Sequence, residues 1–594
     1  MVASVIIKER QSSTAHSQAL EASGLHPLLA RLYAARGVQS ASQTDYRWNQ
    51  LIHPQQLSQN QKAAQLIADA IEQNKRLLIV ADYDCDGATA CAVAICGLKA
   101  MGATVDFMVP NRFETGYGLS REVIDLILAR YDELPDMIIT VDNGIASVDG
   151  VNYAQAQGID VIVTDHHLPG DELPAALAIV NPNQADCHFP SKNLAGVGVM
   201  YYLLMALRAE LKQRGHFDAT NQPRLDSLAD LVALGTVADV VKLDANNRIL
   251  VSQGLERMRR GLMRPGIRAL FEVSGTSYHQ ASASDLGFRI GPRINAAGRL
   301  ADMSIGIRCL ITEDEAEAMQ LAQALDKINQ ERRHIEQEMN EQALESLAQE
   351  EEQNATPLAS IAVYKEDWHQ GVVGIVASRL KEKFWRPVIA FAPADNGELR
   401  GSGRSIPEIH LRDALDLVSK RHPEMILKFG GHAMAAGLSI RQEDFEAFKL
   451  ALHEAIITMS GKSSFASVIE TDGPLATEHA SSRVATLLDQ QVWGAGFPPP
   501  CFNDVFIVRS QRLLKDKHLK LRLEKDQVLY DAIWFNHTEP LPEMARVVYE
   551  LKANEWNGQV NVQLLIQHAE AYAAVQWLAF VPIDLDSNGY EYLD

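Results

Sequence analysis

Three apolar runs in the first third of the chain break off in metal-binding residue types. LLIVADYDCDG sets Asp82, Asp84 and Asp86 at alternate positions, IITVDN ends at Asp142, and VIVTDHH ends at Asp165, His166 and His167. TVDFMVP and LAIVNP have the same strand character, and GATACAVAICGLKAMG and SREVIDLILARYD read as helices between strands. Short apolar strands alternating with helices call for a parallel sheet covered on both faces. Such sheets bind ligands beyond the carboxyl ends of their strands. Carboxylates and imidazoles gathered there make a cage for divalent cations, and packing alone explains them poorly.

A chain of 594 residues is too long for one core and predicts three or four domains. The opening MVASVIIKER lacks the apolar core of a signal peptide, and no later run approaches the ~18 apolar residues of a membrane helix. A cytoplasmic protein with no membrane partner is therefore expected. The six cysteines include no CxxC pair, which argues against a zinc knot or a disulfide framework. The formal net charge of -21 opposes whole-surface binding of duplex DNA. It leaves open a narrow channel with a few placed arginines, because bound metal would cancel part of the acidity and much of the rest is local, as in EDEAEAM and QEEEQNA.

Residues 1–70 read as an N-terminal helical extension and 71–310 as the parallel-sheet domain, with a helix over 226–243 and a glycine- and arginine-rich loop region at 285–300. Residues 311–355 form a long polar helical run, best read as a connector. A second α/β domain follows over 356–460, with IAVYK, PVIAF and FGGHAMAAGLSI. Residues 461–594 read as short alternating strands, which fits a small closed β-barrel of a kind that grips single strands.

On an extended strand Asp82, Asp84 and Asp86 would face one side, although the turn at Gly87 can redirect the last. Asp142 from the next strand is the candidate bridge between two ions. His166 supplies an imidazole and Asp239, in GTVADV, a late carboxylate. Mixed oxygen and imidazole ligation favours Mn2+, with Mg2+ as a substitute. Two such ions activate a water and stabilise the leaving oxygen in phosphodiester hydrolysis, and the same ligands would also serve a pyrophosphatase. His167 either donates to the scissile phosphate or orients a ligand, and Asp165 is placed to hold an imidazole through its other nitrogen.

DYDCDG, TVDNG, VTDHH and LVALGTVAD, in that order and followed by GGH at 430–432, resemble the motifs of the DHH phosphoesterase superfamily. The pattern is similar to its RecJ branch of single-strand-specific 5′-to-3′ DNA exonucleases, from about residue 70 onward. The resemblance implies a parallel-sheet DHH domain joined by a long helix to a second α/β domain, plus a C-terminal OB-type β-barrel. It carries the metal ligands onto the acids of DYDCDG, Asp142, His166 and Asp239, and the active-site histidine onto His167. Pyrophosphatase relatives place a histidine where this chain has Val80, which leaves open which of Asp82, Asp84 and Asp86 ligate.

An exonuclease also needs an anchor for the end of the strand, commonly arginine forks with hydroxyls and backbone N–H groups. Arg112 in NRFETGYGLS, and Ser402 and Arg404 in GSGRS, resemble the family's terminal-phosphate pocket, and His432 its substrate-binding loop. Arg289, Arg293, Asn295 and Arg299 in GFRIGPRINAAGRL are candidates for the wall between the lobes. Lys515, Lys517 and Lys520, with His518 and Arg522, form the clearest basic patch of the chain.

The expected activity is metal-dependent hydrolysis of single-stranded DNA from its 5′ end, releasing mononucleotides, in recombination and repair. Resemblance implies a helicase and a single-strand-binding protein as partners. The rivals are a phosphodiesterase for short oligonucleotides or cyclic dinucleotides, for which the C-terminal barrel would be superfluous, an inorganic pyrophosphatase, and a catalytically silent single-strand-binding scaffold.

Overall fold

A computed structural model of the chain describes residues 4–111, 115–116, 118–353, 357–556 and 559–572. The first domain is built on five parallel strands: β1 (Arg76–Ala81), β2 (Thr104–Met108), β3 (Met137–Val141), β4 (Asp160–Thr164) and β5 (Ala178–Val180). Their order across the sheet is β2-β1-β3-β4-β5. β3 is buried along its whole length, as expected for a parallel strand covered on both faces, whereas the edge strand β2 alternates. The chain leaves β1 for the β2 edge and returns to β3 on the other side. The crevice beyond β1 and β3 is therefore the topological switch point, where open α/β sheets bind ligands. Asp82 and Asp142 follow those two strands directly.

Asp82, Asp84 and Asp86 do not line one strand face. β1 ends at Ala81, and Asp84 caps the helix α1 (Cys85–Ala100), its Oδ1 accepting from the Gly87 N–H at 3.0 Å. Asp86 thus lies in the first helical turn. Local capping and the helix-forming ATACAVA run override the alternation. The turn is tight: a β-carbon on Gly87 would meet the Asp82 carbonyl oxygen at 2.5 Å. Helices α2 (Gly196–Gln213) and α3 (Ala229–Ala238) pack on α1, and Asp239 caps the end of α3.

The expected loop at 285–300 is helical. A π-helical turn, Leu286–Ile290, runs into α4 (Gly291–Leu300), with Pro292 at its start and Ile290, Ile294, Ala296 and Ala297 buried. Proline in a first turn costs no hydrogen bond, and the apolar spacing anchors the helix despite its glycines. The connector is the 39-residue helix α5 (Glu315–Gln353), about 58 Å long at 1.5 Å per residue.

The second α/β domain holds β6 (Ile361–Tyr364), helix α6 (Val373–Phe384), β7 (Val388–Pro393), β8 (Glu398–Arg404), β9 (Ile426–Gly431) and β10 (Ala435–Arg441). They form one mixed sheet ordered β9-β10-β8-β7-β6, in which only β6 and β7 run parallel. Before the first domain lie a strand, Val5–Glu9, and short helices including Pro27–Ala34, whose Leu28, Leu29, Leu32 and Tyr33 are buried. In the segment WGAGFPPP at 493–500, Trp493 stacks on Phe497, and the Arg248 guanidinium lies over the Phe497 ring.

A second compact unit, made of residues 470–488 and the described residues from 500 to 572, contains a closed five-stranded barrel. Its strands are β11 (Phe502–Leu514), β12 (His518–Lys525), β13 (Val528–Trp534), β14 (Met544–Trp556) and β15 (Gln559–Ala571), in the order β11-β12-β13-β15-β14. Leu519, Leu521 and Leu523 point into it and are buried. Among the described residues no helix is long and apolar enough to cross a membrane.

Candidate metal centre and anion cradle

Five carboxylates and two imidazoles converge beyond β1, β3 and β4. Ligand atoms of Asp82, Asp84 and Asp142 lie within 4.8 Å of one another, as do those of Asp86, His166 and Asp239, and those of Asp142, His166 and His167. Asp142 belongs to two of these groups. Nε2 of His166 stands 3.0 Å from Asp142 Oδ1, 3.5 Å from Asp239 Oδ2 and 3.8 Å from Asp86 Oδ2. Asp142 and Val240, which follows Asp239, both have left-handed backbone, at φ 62° and 63°. Non-glycine residues held there store strain, a recurrent property of functional sites.

The surrounding residues fix these side chains from behind. Asp86 accepts from the Gly196 and Val197 N–H groups at 2.5 and 2.9 Å, at the start of α2. Gly196 itself abuts Asp142. Asn183 and Asn181 donate to the backbone carbonyls of His166 and His167. Asp165 Oδ1 accepts from His167 Nδ1 at 2.7 Å and from both histidine N–H groups.

The electrostatics suit a cation. Burial, reinforced by the neighbouring Asp84, pushes the Asp86 carboxyl up to about 7, against the opposing Val197 and Gly196 hydrogen bonds. Burial likewise drives Asp82, Asp142 and Asp239 well above the usual carboxylate range, with the nearby aspartates adding to it. Burial and the adjacent His167 lower His166 to about 4, so its imidazole is neutral at pH 7. Burial would lower His167 too, but the hydrogen bond and charge of Asp165, then Asp82 and Asp84, raise it to about 9. Nε2 of His166 and Oδ2 of Asp239 are buried without a hydrogen-bond partner. Like-charged carboxylates around a neutral imidazole, with buried ligand atoms unsatisfied, fit divalent cations well.

A second cluster lies in the second α/β domain. Nη1 of Arg404 donates to Ser402 Oγ at 3.0 Å, and both side chains lie against the first turn of α6. A β-carbon on Gly374 would meet Ser402 Oγ at 2.9 Å and Arg404 Nη2 at 3.0 Å. A guanidinium, a hydroxyl and a helix N-terminus together make an anion cradle. Arg299 donates from Nη1 to the Gly371 carbonyl, two residues before α6, at 3.0 Å. His432 is exposed on the β9–β10 hairpin, where its N–H closes onto Ala435, the cross-strand neighbour of Arg404.

Arg289, Arg293 and Asn295 have structural partners. Arg293 is bound by Nε and Nη2 to Asp326 on α5, at 2.9 and 2.8 Å. The exposed Arg289 donates to Thr276 and pairs with Asp285. Asn295 Oδ1 accepts the Cys85 N–H at 2.8 Å and so faces the metal-bearing turn. Arg112 lies outside the described residues. In the barrel, Lys515 and Asp516 form a two-residue left-handed turn, Lys517 is exposed just beyond it, and Lys520 pairs across the strands with Arg512. The sequence reading missed Gly196, Gly371 and Gly374; the signals were AGVG at 195–198 and GVVG at 371–374.

A parallel sheet with a carboxylate–histidine centre at its switch point, joined by a long helix to a mixed-sheet domain, defines a DHH-type protein. The DHH family N-terminal domain matches residues 76–236, the DHHA1 domain 357–458 and the RecJ OB domain 471–568. The chain belongs to the RecJ family. It is 49% identical to the single-stranded-DNA-specific exonuclease RecJ of Escherichia coli (strain K12), over 92% of this chain and 96% of that one. The crystal structure of RecJ from Thermus thermophilus in complex with Mn2+ superposes with a TM-score of 0.79 at 29% identity, covering 96% of this chain and 80% of that one. The structure of the same protein with Mg2+ gives 0.75 at 28% identity, over 96% and 79%.

Proposed function

We propose that this protein is a metal-dependent exonuclease that degrades single-stranded DNA from the 5′ end and releases mononucleotides. The observation that carries the reading is Asp142, which groups with Asp82 and Asp84 on one side and on the other stands 3.0 Å from Nε2 of His166, a member of the group with Asp86 and Asp239. Asp82, Asp84 and Asp142 would hold one divalent cation, and Asp86, His166, Asp239 and Asp142 a second, Mn2+ or Mg2+. Bound there, such a pair supplies an activated water and neutralises charge on the phosphate.

The chain's own residues do the rest. Asp165 keeps His167 cationic and oriented, with its side chain 40% exposed, so that the ring can donate a proton or a hydrogen bond to a phosphate oxygen. Arg404, Ser402 and the start of α6 seat the terminal phosphate, with Arg299 and His432 alongside. That seat is what makes the reaction exonucleolytic. Lys515, Lys517 and Lys520 offer the backbone of a longer strand a basic surface on the barrel. The named relative acts on single-stranded DNA, and 49% identity over nearly all of both chains supports the same substrate here. We place the protein in the cytoplasm, working with a helicase and a single-strand-binding protein.

The test is product analysis with Mn2+ on single strands labelled at either end. Label released from the 5′ end as a mononucleotide at the earliest times supports the reading; release from the 3′ end first, or internal cuts, refutes it. The barrel makes a short-oligonucleotide or cyclic-dinucleotide enzyme the weaker alternative, which preference for a dinucleotide over a long strand would revive. Absence of turnover at saturating Mn2+ would favour the silent scaffold.

A further inference from the structure

Helix α4 touches the metal-bearing turn on one side and, on the other, the segment at Gly371 that leads into α6. Asn295 Oδ1 takes the Cys85 N–H, the first of α1, between Asp84 and Asp86. Three residues on, α4 presses against the same turn: a β-carbon on Gly298 would fall 1.9 Å from the Tyr83 carbonyl oxygen. Only glycine permits that approach. The next residue, Arg299, binds the Gly371 carbonyl, and a β-carbon on Gly371 would in return meet the Arg299 carbonyl oxygen at 2.3 Å. From Gly371 the chain turns directly into α6, whose Gly374 rests on Ser402 and Arg404. Arg293 ties the same helix to α5 through Asp326.

Two of these junctions are close backbone approaches and two are hydrogen bonds to backbone groups. Such contacts transmit small displacements because a packed junction has no slack to absorb them. Asn295 has a short side chain, and its bond is to the N–H that opens α1, between Asp84 and Asp86. The other arginines of this segment have surface or helix partners, whereas Asn295 and Gly298 contact the metal-bearing turn itself.

We propose that Asn295 and Gly298 are positioning residues that make α4 a strut between the cradle and the metal centre, so that a terminal phosphate seated at Arg404 tightens divalent-metal binding at Asp84 and Asp86. This rests on the metal and cradle assignments made above. By linkage the effect is reciprocal: bound metal raises affinity for a 5′-phosphorylated end by the same factor. An enzyme so built completes its metal centre when a strand end has arrived.

The experiment is calorimetric Mn2+ titration of the full chain, with and without a 5′-phosphorylated dinucleotide carrying a non-hydrolysable methylphosphonate linkage. The wild type is expected to bind Mn2+ about tenfold more tightly with the dinucleotide, a coupling of ordinary allosteric size. Asn295→Ala loses that gain and binds Mn2+ about tenfold more weakly, as supporting contacts behind ligands do when removed. Asn295→Asp, which keeps the acceptor for Cys85, recovers the gain. Gly371→Ala, whose β-carbon would press on the Arg299 carbonyl from the cradle side, abolishes the response to dinucleotide. A wild type that takes Mn2+ and degrades single strands, yet whose Mn2+ affinity ignores the dinucleotide, overturns the strut and leaves the exonuclease reading intact. So does an Asn295→Ala protein with undiminished coupling. A wild type that takes no Mn2+ overturns both.

Discussion

Gly196 stands directly against Asp142: a β-carbon on residue 196 would lie 2.5 Å from the Asp142 Cβ and 2.7 Å from its Oδ1. The same residue gives its N–H to Asp86. One glycine thus fixes two carboxylates from different elements. Gly196→Ala is expected to displace Asp142 and lower Mn2+ affinity by about 10–100-fold, the usual cost of disturbing support behind a ligand. Strain at this buried position should also lower fold stability by about 1–3 kcal/mol. Calorimetry and thermal melting measure the two effects; an unaltered Mn2+ isotherm would contradict the first.

Asp142→Asn separates chemistry from binding. It leaves the cradle and the barrel untouched but removes the shared charge, so turnover should fall by at least about 1000-fold, in line with loss of a principal electrostatic element. Affinity for single-stranded DNA, measured by fluorescence anisotropy with Ca2+ in place of Mn2+, should change by less than about threefold. A loss of binding matching the loss of rate would show that Asp142 acts on the strand itself.

Arg404→Ala removes the guanidinium over the first turn of α6. The expected result is a KM raised about 10–100-fold for 5′-phosphorylated strands, as for loss of a charge-assisted hydrogen bond. Strands with a 5′-hydroxyl should be affected much less. Equal losses on both ends would remove the cradle from end recognition.

Stability of the metal-free protein should fall as pH rises above neutrality. His167 is raised in the fold to about 9, so its stabilising contribution is complete below its ordinary value near 6.5 and is lost as pH rises through about 9. The raised carboxyls of Asp82, Asp86, Asp142 and Asp239 have the same sign. His166, lowered to about 4, has the opposite sign, but its effect is confined below about 6.5. Melting with EDTA from pH 6.5 to 9.5 should show a declining Tm that His167→Gln flattens and Mn2+ largely abolishes. A Tm that is level across the range would contradict the assignment.

The strands of the first domain, the placement of the acids at their carboxyl ends and the long connector were legible in the sequence, because short continuous apolar runs and polar runs of helical length are local signals. The course of the chain at Asp84 was not. The strand stops at Ala81 and the N-cap bond between Asp84 and Gly87 starts a helix before Asp86, and alternation alone does not see a cap. The region around Asn295 was misread as loop because its glycines and Pro292 are breaker types; they sit where Pro292 opens a helix and Gly298 admits the Tyr83 carbonyl. Arg293 and Asn295 looked like substrate contacts by residue type, and only the fold reveals Asp326 and Cys85 as their partners. The glycines at 196, 371 and 374 act through closeness to residues distant in sequence, which spacing does not encode.

Anomalous scattering at the manganese edge, from crystals grown with Mn2+, bears most directly on the centre of this account. Two peaks are expected, one among Asp82, Asp84 and Asp142 and the other among Asp86, His166, Asp239 and Asp142, with a single peak at most in Asp142→Asn. No peak at these residues, with Mn2+ at millimolar concentration, would contradict it.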